Sequence, residues 1–218
     1  FRSLQLLTGK AVIEQPDLIV WPETMVRWSL FVPAANVAPE DMQQHIPVQY
    51  QTDLRSTSTQ ISAQLHKLSR MANAPIVAGI DTVALDEQGV RSYNSAAFIT
   101  PQQGIAGRYD KLHRVPFGEY LPLQETFPWL AHLSPYPPYC GIAAGARPHV
   151  FTYNDVRYAP VICFEDTVPH VVRDVLRSAQ RTDHSGKGVD VLLNLTNDGW
   201  FHGSSELDQH LITAAFRC

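Results

Sequence analysis

The apolar residues of this 218-residue chain follow two patterns, short continuous runs and longer stretches at helical spacing. The continuous runs predict strands that are buried on both faces, and they lie at 17–21, 74–83, 92–100, 149–163 and 189–197. The fourth run is a predicted hairpin that turns at Asn154 and Asp155. Helical spacing predicts helices at 1–15, 52–73, 165–180 and 205–216. Strands alternate with helices but hairpins intervene, so the pattern indicates a layered α/β domain rather than a purely parallel sheet.

The segment 116–148 interrupts this alternation. It holds seven of the sixteen prolines of the chain, interleaved with aromatic residues, so it cannot be regular helix or sheet. At this length the composition is typical of a functional lid or binding loop. An ordered loop that packs on the surface with no such function is the alternative.

Composition and charge exclude several classes of function. The net charge is −4 with no basic run, so nucleic acid is not an expected partner. No stretch reaches the roughly 18 consecutive apolar residues that a membrane span requires. The three cysteines form no C-x-x-C pair and the nine histidines form no H-E-x-x-H motif. The sequence therefore predicts neither a disulfide framework, nor a metal site, nor a cofactor.

Cys163 is the candidate nucleophile, in the stretch PVICFED. It follows a predicted strand and precedes a predicted helix that opens with Glu165 and Asp166. A thiol in that position lies near the positive end of a helix dipole, which is expected to lower its pKa. The alternative is a small buried core residue, the commonest fate of a free cysteine.

A nucleophilic thiol needs a base and a group that stabilises an oxyanion. His113 and His170 have no evident carboxylate to orient them, whereas Glu23 follows a buried strand that is expected to end at Pro22. Lys111 lies where a strand gives way to the proline-rich segment. Glutamate, lysine and cysteine thus stand in this order at three predicted strand ends.

This order resembles the Glu-Lys-Cys triad of the nitrilase superfamily, the carbon-nitrogen hydrolases. The segments LIVWPET, YDKLHRVPFGEYLP, PVICFED and NLTNDGWFHG resemble blocks of one branch in particular, the apolipoprotein N-acyltransferases. The resemblance implies an α-β-β-α sandwich, with residues 1–218 as a single domain that lacks its first and last strands and includes the loop at 116–148. Two positions depart from the branch, since Phe164 replaces an expected tyrosine and His202 interrupts the expected W-F-G.

The resemblance also implies a role for each site residue. Glu23 would be the general base, Lys111 the oxyanion stabiliser and Cys163 the nucleophile. Glu119 would be a second glutamate that supports Lys111 and the base, and Glu165 a supporting acid beside the nucleophile. The aromatic residues expected to bind acyl chains are Phe117, Tyr120, Phe127, Trp129 and Phe164.

The implied reaction is acyl transfer from a phospholipid, through a cysteine thioester, to the N-terminal amine of diacylglyceryl-cysteine on an apolipoprotein. The implied location is the outer face of a bacterial inner membrane, with the membrane surface as a partner. Two alternatives stay open at this point. A soluble amidohydrolase of the same superfamily would use water on a small amide or nitrile, and an inactive scaffold or binding module would leave Cys163 unreactive.

Overall fold

The computed structural model describes residues 1–33, 48–86, 89–123, 126–127, 129–130, 141–182, 188–201 and 203–217. Cys140, His202 and Cys218 lie outside these ranges, as does much of the predicted loop at 116–148. Among the described residues, no helix combines the length and the apolar character that crossing a membrane requires.

The predicted elements are present in the predicted order with shifted bounds, and one further strand, Gly104–Asp110, is not among the predicted apolar runs. The helices are α1 (Arg2–Ala11), α2 (Val48–Ala72), α3 (Pro169–Thr182) and α4 (Glu206–Ala215). The strands are β1 (Ile19–Pro33), β2 (Ile76–Asp86), β3 (Gly89–Thr100), β4 (Gly104–Asp110), β5 (Phe151–Tyr153), β6 (Val156–Ile162) and β7 (Val191–Leu195). Short 3₁₀ helices form at Val12–Glu14, Cys163–Thr167 and Asp198–Phe201.

The strands form two sheets. The first has the order β1-β2-β3-β4, with β1 parallel to β2 and the remaining pairs antiparallel. The second has the order β5-β6-β7, in which β5 and β6 form the predicted hairpin and β7 runs parallel to β6. Asn154 and Asp155 have φ values of 48° and 61°, the left-handed conformation that a tight hairpin turn requires.

The two faces of the first sheet are buried against different layers. On one face, Ile76, Ala78 and Ile80 of β2 pack in a cluster with α2 residues at helical spacing, among them Ile61 and Leu65. Val77 lies between these residues in sequence and belongs to the other cluster, which includes residues of β6 and β7. The apolar first half of β2, Ile76 to Ile80, is therefore covered on both faces.

The second cluster joins the two sheets and the outer helix α3. The Phe98 and Phe151 rings stack across the sheets with their centroids 4.7 Å apart and their planes 5° from parallel. Val171 and Val175 of α3 are buried in the same cluster. The order helix, sheet, sheet, helix confirms the α-β-β-α sandwich that the resemblance implies.

The prediction that the first strand ends at Pro22 is wrong. β1 continues to Pro33, but its pairing with β2 is interrupted. Trp21 pairs with Ala78 and the next paired residue, Val26, pairs with Ile80, so β1 has more residues between these two pairs than β2 has. The extra residues form a bulge, in which Thr24 has a φ of 49°. Proline is tolerated here because a bulge needs no ladder hydrogen bond from it. Glu23 lies in this bulge.

The helix predicted at 165–180 also begins later than expected. Residues Cys163–Thr167 form a 3₁₀ helix, and α3 starts only at Pro169, where a missing amide hydrogen has no cost. Cys163 is therefore followed by a tight turn rather than by the first turn of an α-helix. This difference changes the expected electrostatics of its thiol.

Candidate active site

Four strands of the two sheets bring polar side chains to one place. Lys111 directly follows β4 and Cys163 directly follows β6, while Glu23 stands in the bulge of β1 and Asn94 in β3. The Lys111 amide donates to the Asn94 carbonyl at 2.9 Å, which fixes the start of the loop after β4. The three predicted triad residues are thus brought together, as the sequence indicates.

Lys111 is fully buried and its ammonium lies between two carboxylates. Its Nζ donates to Glu119 Oε1 at 2.6 Å and lies 3.7 Å from Glu23 Oε1. Burial opposes the charge, but the hydrogen bond and charge of Glu119, together with the charge of Glu23, raise the pKa of Lys111 above its usual value. The side chain is therefore a cation at neutral pH, able to stabilise negative charge that develops beside it.

Glu23 is held by donors on both oxygens. Asn94 Nδ2 donates to Oε1 at 2.7 Å, and the Asn197 amide donates to Oε2 at 3.1 Å. The bulge that carries Glu23 passes so close to β2 that a Cβ at Gly79 would lie 2.6 Å from the Glu23 Cα. Glycine is thus required at that position, and it lets the carboxylate reach the buried ammonium of Lys111.

Glu119 joins Lys111 to the loop that follows it. Its second oxygen accepts from the Val115 amide at 2.8 Å, so one carboxylate bridges a side chain and the backbone four residues before it. The Glu119 amide in turn donates to the Val115 carbonyl at 2.9 Å. These bonds close a compact turn and keep Glu119 pointing at the ammonium.

Cys163 stands on a strained turn. Its φ is 53°, a conformation that residues other than glycine rarely adopt and that is often found at functional sites. The strand-turn-helix placement predicted from the sequence is therefore present, with a 3₁₀ helix in place of the α-helix.

The expected lowering of the Cys163 pKa is wrong. Burial, together with the nearby charge of Glu23, raises the pKa of the thiol to about 11, although Lys111 and hydrogen bonds with the Thr196 side chain and the Phe164 amide act in the opposite direction. No α-helix begins at this residue, so the dipole invoked from the sequence is not there. The resting form is a protonated thiol that needs a base.

Glu165 ties three segments of the site together. It is fully buried, and its Oε1 accepts from the Leu112 and His113 amides at 2.7 and 2.9 Å. Its Oε2 accepts from the Tyr109 hydroxyl at 2.8 Å and the Ile162 amide at 2.7 Å. Burial raises the pKa of Glu165, and these donors oppose that rise. The carboxyl fastens the end of β4 to the end of β6, which sets the separation between Lys111 and Cys163.

The predicted acyl-chain residues differ in exposure. Phe117 is 71% exposed, Trp129 60%, Phe127 46% and Phe164 43%, so all four present apolar surface to the solvent. Tyr120 differs, because the Arg114 guanidinium lies 4.2 Å from its ring centroid and covers one face. Phe164 also stacks on His113, with 6.4 Å between ring centroids. The exposed four are available to an apolar ligand.

Sequence reasoning missed several residues that hold the site. Asn94 orients Glu23, and Tyr109 binds Glu165. Neither residue stands out in the sequence, because Asn94 is flanked by Tyr93 and Ser95 and Tyr109 by Arg108 and Asp110. His210 was also missed, although it contacts Asp198, Asp166 and the Cys163 carbonyl.

Over the described part of the chain, no cluster of three or more histidine, cysteine or acidic residues is placed to hold a metal ion.

Comparison with known proteins gives a consistent family. Residues 2–217 match the sequence model of a family described as carbon-nitrogen hydrolase. The chain is 31% identical over 205 residues to an apolipoprotein N-acyltransferase from Bdellovibrio bacteriovorus. The aligned region covers 90% of this chain and 31% of that protein. It is 29% identical to the enzyme of the same name from Geobacter metallireducens, over 97% of the chain and 34% of the relative. The chain thus spans about a third of the length of these two relatives.

Solved structures agree on the fold. A carbon-nitrogen hydrolase from Helicobacter pylori superposes with a TM-score of 0.60 at 15% identity, over 99% of this chain and 62% of that one. A glutamine-dependent NAD⁺ synthetase from Acinetobacter baumannii gives a TM-score of 0.53 at 19% identity, over 90% of this chain and 28% of that one. At such low identity, the likeness shows the fold alone.

The charges around Cys163 predict how its thiol responds to substitution. Glu23→Gln removes the negative charge that raises the pKa, so we expect the pKa of the thiol to fall from about 11 by about one pH unit. Lys111→Met removes the positive charge that lowers it, and we expect a rise. The measurement is the rate of Cys163 alkylation by iodoacetamide against pH, read by peptide mass spectrometry.

The exposed acid Glu206 supplies the control, and Glu206→Gln should leave the alkylation profile unchanged. Thermal melting of each variant establishes that it is folded. If the Glu23 and Lys111 variants titrate like the wild type, or shift in the same direction, the electrostatic account of the thiol is wrong.

Proposed function

This chain belongs to the carbon-nitrogen hydrolase family, and on that premise we propose that it is the catalytic domain of an N-acyltransferase that acylates lipoproteins. The observation that carries the proposal is the buried ammonium of Lys111 held between Glu23 and Glu119 beside the Cys163 thiol. That group supplies a base, an oxyanion partner and a nucleophile for acyl transfer through a thioester. The relatives named apolipoprotein N-acyltransferase support the choice of acyl group and acceptor.

The first half-reaction acylates the enzyme. Glu23 accepts the thiol proton as the Cys163 sulfur attacks an ester carbonyl of a phospholipid. The Lys111 ammonium stabilises the oxyanion that develops on the carbonyl oxygen. When the tetrahedral intermediate collapses, the carbon–oxygen bond breaks and the proton passes from Glu23 to the departing glyceryl oxygen. The products are a lysophospholipid and a thioester on Cys163.

The second half-reaction transfers the acyl group to an amine. The N-terminal amine of a diacylglyceryl-cysteine attacks the thioester carbonyl, and Glu23 accepts a proton from the attacking nitrogen. Lys111 again stabilises the oxyanion. Collapse breaks the carbon–sulfur bond and returns the proton from Glu23 to the thiolate. An amide leaves, and the resting thiol is restored.

The raised pKa of Cys163 favours this route over one that starts from a resting thiolate. At neutral pH a thiol with a pKa of about 11 is almost entirely protonated, so removal of its proton must accompany the attack. Glu23 suits that task because Asn94 and Asn197 hold both of its oxygens in place. Its own negative charge is part of what keeps the thiol protonated until substrate binds.

The exposed aromatic residues support a lipid substrate. Phe117, Phe127, Trp129 and Phe164 lie on or near the loop that carries Glu119, or directly beside Cys163, and they expose apolar surface. Large exposed apolar side chains mark binding surfaces, and aromatic rings suit the boundary between acyl chains and headgroups. We propose that this surface faces the outer leaflet of a bacterial inner membrane.

Formation of the thioester is the direct test of the proposal. The full-length protein in detergent, incubated with a phospholipid of one defined acyl chain, is expected to gain the mass of that acyl group. The increment should disappear with hydroxylamine, which cleaves thioesters, and should be absent from Cys163→Ala. Intact-protein mass spectrometry makes the measurement.

The outcome also separates the alternatives. A protein that gains no acyl mass from lipid but turns over small amides is an amidohydrolase of the same family. A protein that does neither, and whose Cys163 resists alkylation, is an inactive binding module. Either result contradicts acyl transfer.

The aromatic surface predicts a defect in lipid use. Phe127→Ser combined with Trp129→Ser removes two large apolar contacts, and we expect the KM for phospholipid to rise by about tenfold or more, since each buried aromatic side chain contributes on the order of 1.5–3 kcal/mol. The kcat should change little, because neither residue contacts the reacting atoms. Steady-state kinetics with phospholipid in mixed micelles gives both constants.

Leu6→Ser is the control, because Leu6 is similarly exposed on α1, away from the loop. It should leave the KM at its wild-type value. Unchanged phospholipid kinetics in the Phe127 and Trp129 double variant would remove these two rings from the lipid site.

A further inference from the structure

His210 of α4 contacts the turn that carries Cys163. Its Nδ1 lies 3.0 Å from Asp198 Oδ1, and its Nε2 lies 3.1 Å from Asp166 Oδ1 and 3.3 Å from the Cys163 carbonyl oxygen. The side chain is 11% exposed, so water contributes little to its hydrogen bonding. Both ring nitrogens therefore face oxygens that can only accept.

That arrangement fits the protonated ring. A neutral imidazole donates from one nitrogen and presents a lone pair at the other, which would here face a carboxylate oxygen. Burial disfavours the charge, but the charge of Asp166 and the hydrogen bond and charge of Asp198 raise the pKa of His210 above its usual value. The charged groups around the ring are Asp166 on the 3₁₀ turn, Asp198 after β7, and Arg217 beyond the end of α4.

The contacts of His210 form a circuit that begins and ends at Cys163. The Thr196 hydroxyl gives its single proton to Asp198 Oδ1 at 2.7 Å. Its oxygen therefore accepts from the protonated thiol of Cys163, with which the side chain is hydrogen-bonded. Asp198 binds His210, and His210 returns to the carbonyl of the same cysteine. The circuit therefore connects the sulfur of Cys163 to its carbonyl oxygen through the segment after β7, which carries Thr196 and Asp198, and through His210 of α4.

Further bonds fasten the turn to its surroundings. Asp166 accepts from Asn194 of β7 at 2.8 Å. Arg217 donates to the Asp166 carbonyl at 2.6 Å and to the Thr167 carbonyl at 3.2 Å. The turn is thus held from β7 and from α4 together. A strained φ such as that of Cys163 persists only where surrounding contacts impose it.

We propose that His210 is a positioning residue, an imidazolium that clamps the Cys163 carbonyl and the adjoining carboxylates so that the thiol keeps its reactive orientation. The expected effect of His210 on acyl transfer rests on the proposed function, whereas its role in holding the turn does not. His210 is not the base for the thiol. Its Nε2 faces the carbonyl oxygen of Cys163, and both nitrogens are occupied.

The clamp has a defined dependence on pH. The pKa of His210 is raised in the folded protein, so its stabilising contribution is complete below the unfolded value of about 6.5 and is lost as pH rises through the folded value. A neutral ring would release one of its two acidic partners. The positioning of Cys163 should therefore weaken on the alkaline side, above the ordinary range of histidine.

Three variants of the full-length protein test the clamp. His210→Ala is expected to lower the kcat of acyl transfer by about a hundredfold, the typical cost of misplacing a reacting group by about 1 Å, and to leave the KM within about twofold. Alkylation of Cys163 by iodoacetamide at pH 7.5 should slow in parallel. His210→Gln keeps an N–H that can reach Asp166 and the Cys163 carbonyl, so it should recover at least about a tenth of the wild-type kcat.

His66→Gln is the matched control. Its Nε2 contacts the Pro101 carbonyl at 3.0 Å, at the turn before β4 and at the opposite end of that strand from Lys111. It should leave both rates unchanged. In the wild type and in His66→Gln, the kcat should fall as the pH rises above the ordinary range of histidine. In His210→Gln the residual kcat should not show this fall. Loss of stability alone would not remove the pH dependence.

Nitrogen-15 NMR of the imidazole provides a readout that needs no activity. Both His210 nitrogens should carry protons at pH 7.5, when a free histidine is largely neutral. A neutral His210 ring, or a His210→Ala variant that alkylates and transfers at wild-type rates, overturns the proposal. So does a His210→Ala variant in which the KM rises while the kcat is kept. If the wild type shows no acyl transfer but alkylation still slows in His210→Ala, the proposed function fails while the clamp stands.

Discussion

The ammonium of Lys111 is fully buried, and the geometry of the site follows from the need to compensate it. A buried charge is costly unless it is paired and its partners are themselves held by hydrogen bonds. Glu119 provides the close partner at 2.6 Å and Glu23 the more distant one at 3.7 Å. Val115 holds the first and Asn94 the second, so a loop and a strand bulge are fixed around one cation. In the proposed mechanism the same cation would stabilise the negative charge that develops beside Cys163, with no reorganisation at the moment of reaction.

The order of elements and the site residues at the strand ends could be predicted because each has a local cause. A strand segment covered on both faces is a continuous apolar run, as at Ile76–Ile80 of β2, and α2 places Ile61, Leu65 and Leu68 on one face. Glu23 and Cys163 could be found because each follows an apolar run, and Lys111 because it lies where a strand gives way to the proline-rich segment. The family resemblance then joined three separated positions into one expected site, and the structure brings them together.

The remaining features depend on contacts between distant segments, which no local pattern records. β1 passes Pro22 because a bulge removes the need for a hydrogen bond there, and only the pairing with β2 shows this. The pKa of Cys163 rises rather than falls because burial and Glu23 act on it, while the expected helix begins later. His210 lies 47 residues from Cys163 in sequence, on a helix whose pattern gives it no distinction.

The central claim is that Cys163 carries an acyl group from a lipid to an amine. The most direct test is to measure how much of the thioester-bound acyl group passes to an amine and how much to water. The acyl-enzyme of the full-length protein, freed of phospholipid, would be mixed with a peptide that bears an N-terminal diacylglyceryl-cysteine. Mass spectrometry would follow the acyl group with time. We predict that the peptide gains an amide-linked acyl chain and speeds the loss of the thioester, with little free fatty acid. Release of the acyl group as free fatty acid, at one rate with or without the peptide, would show a hydrolase and contradict the account.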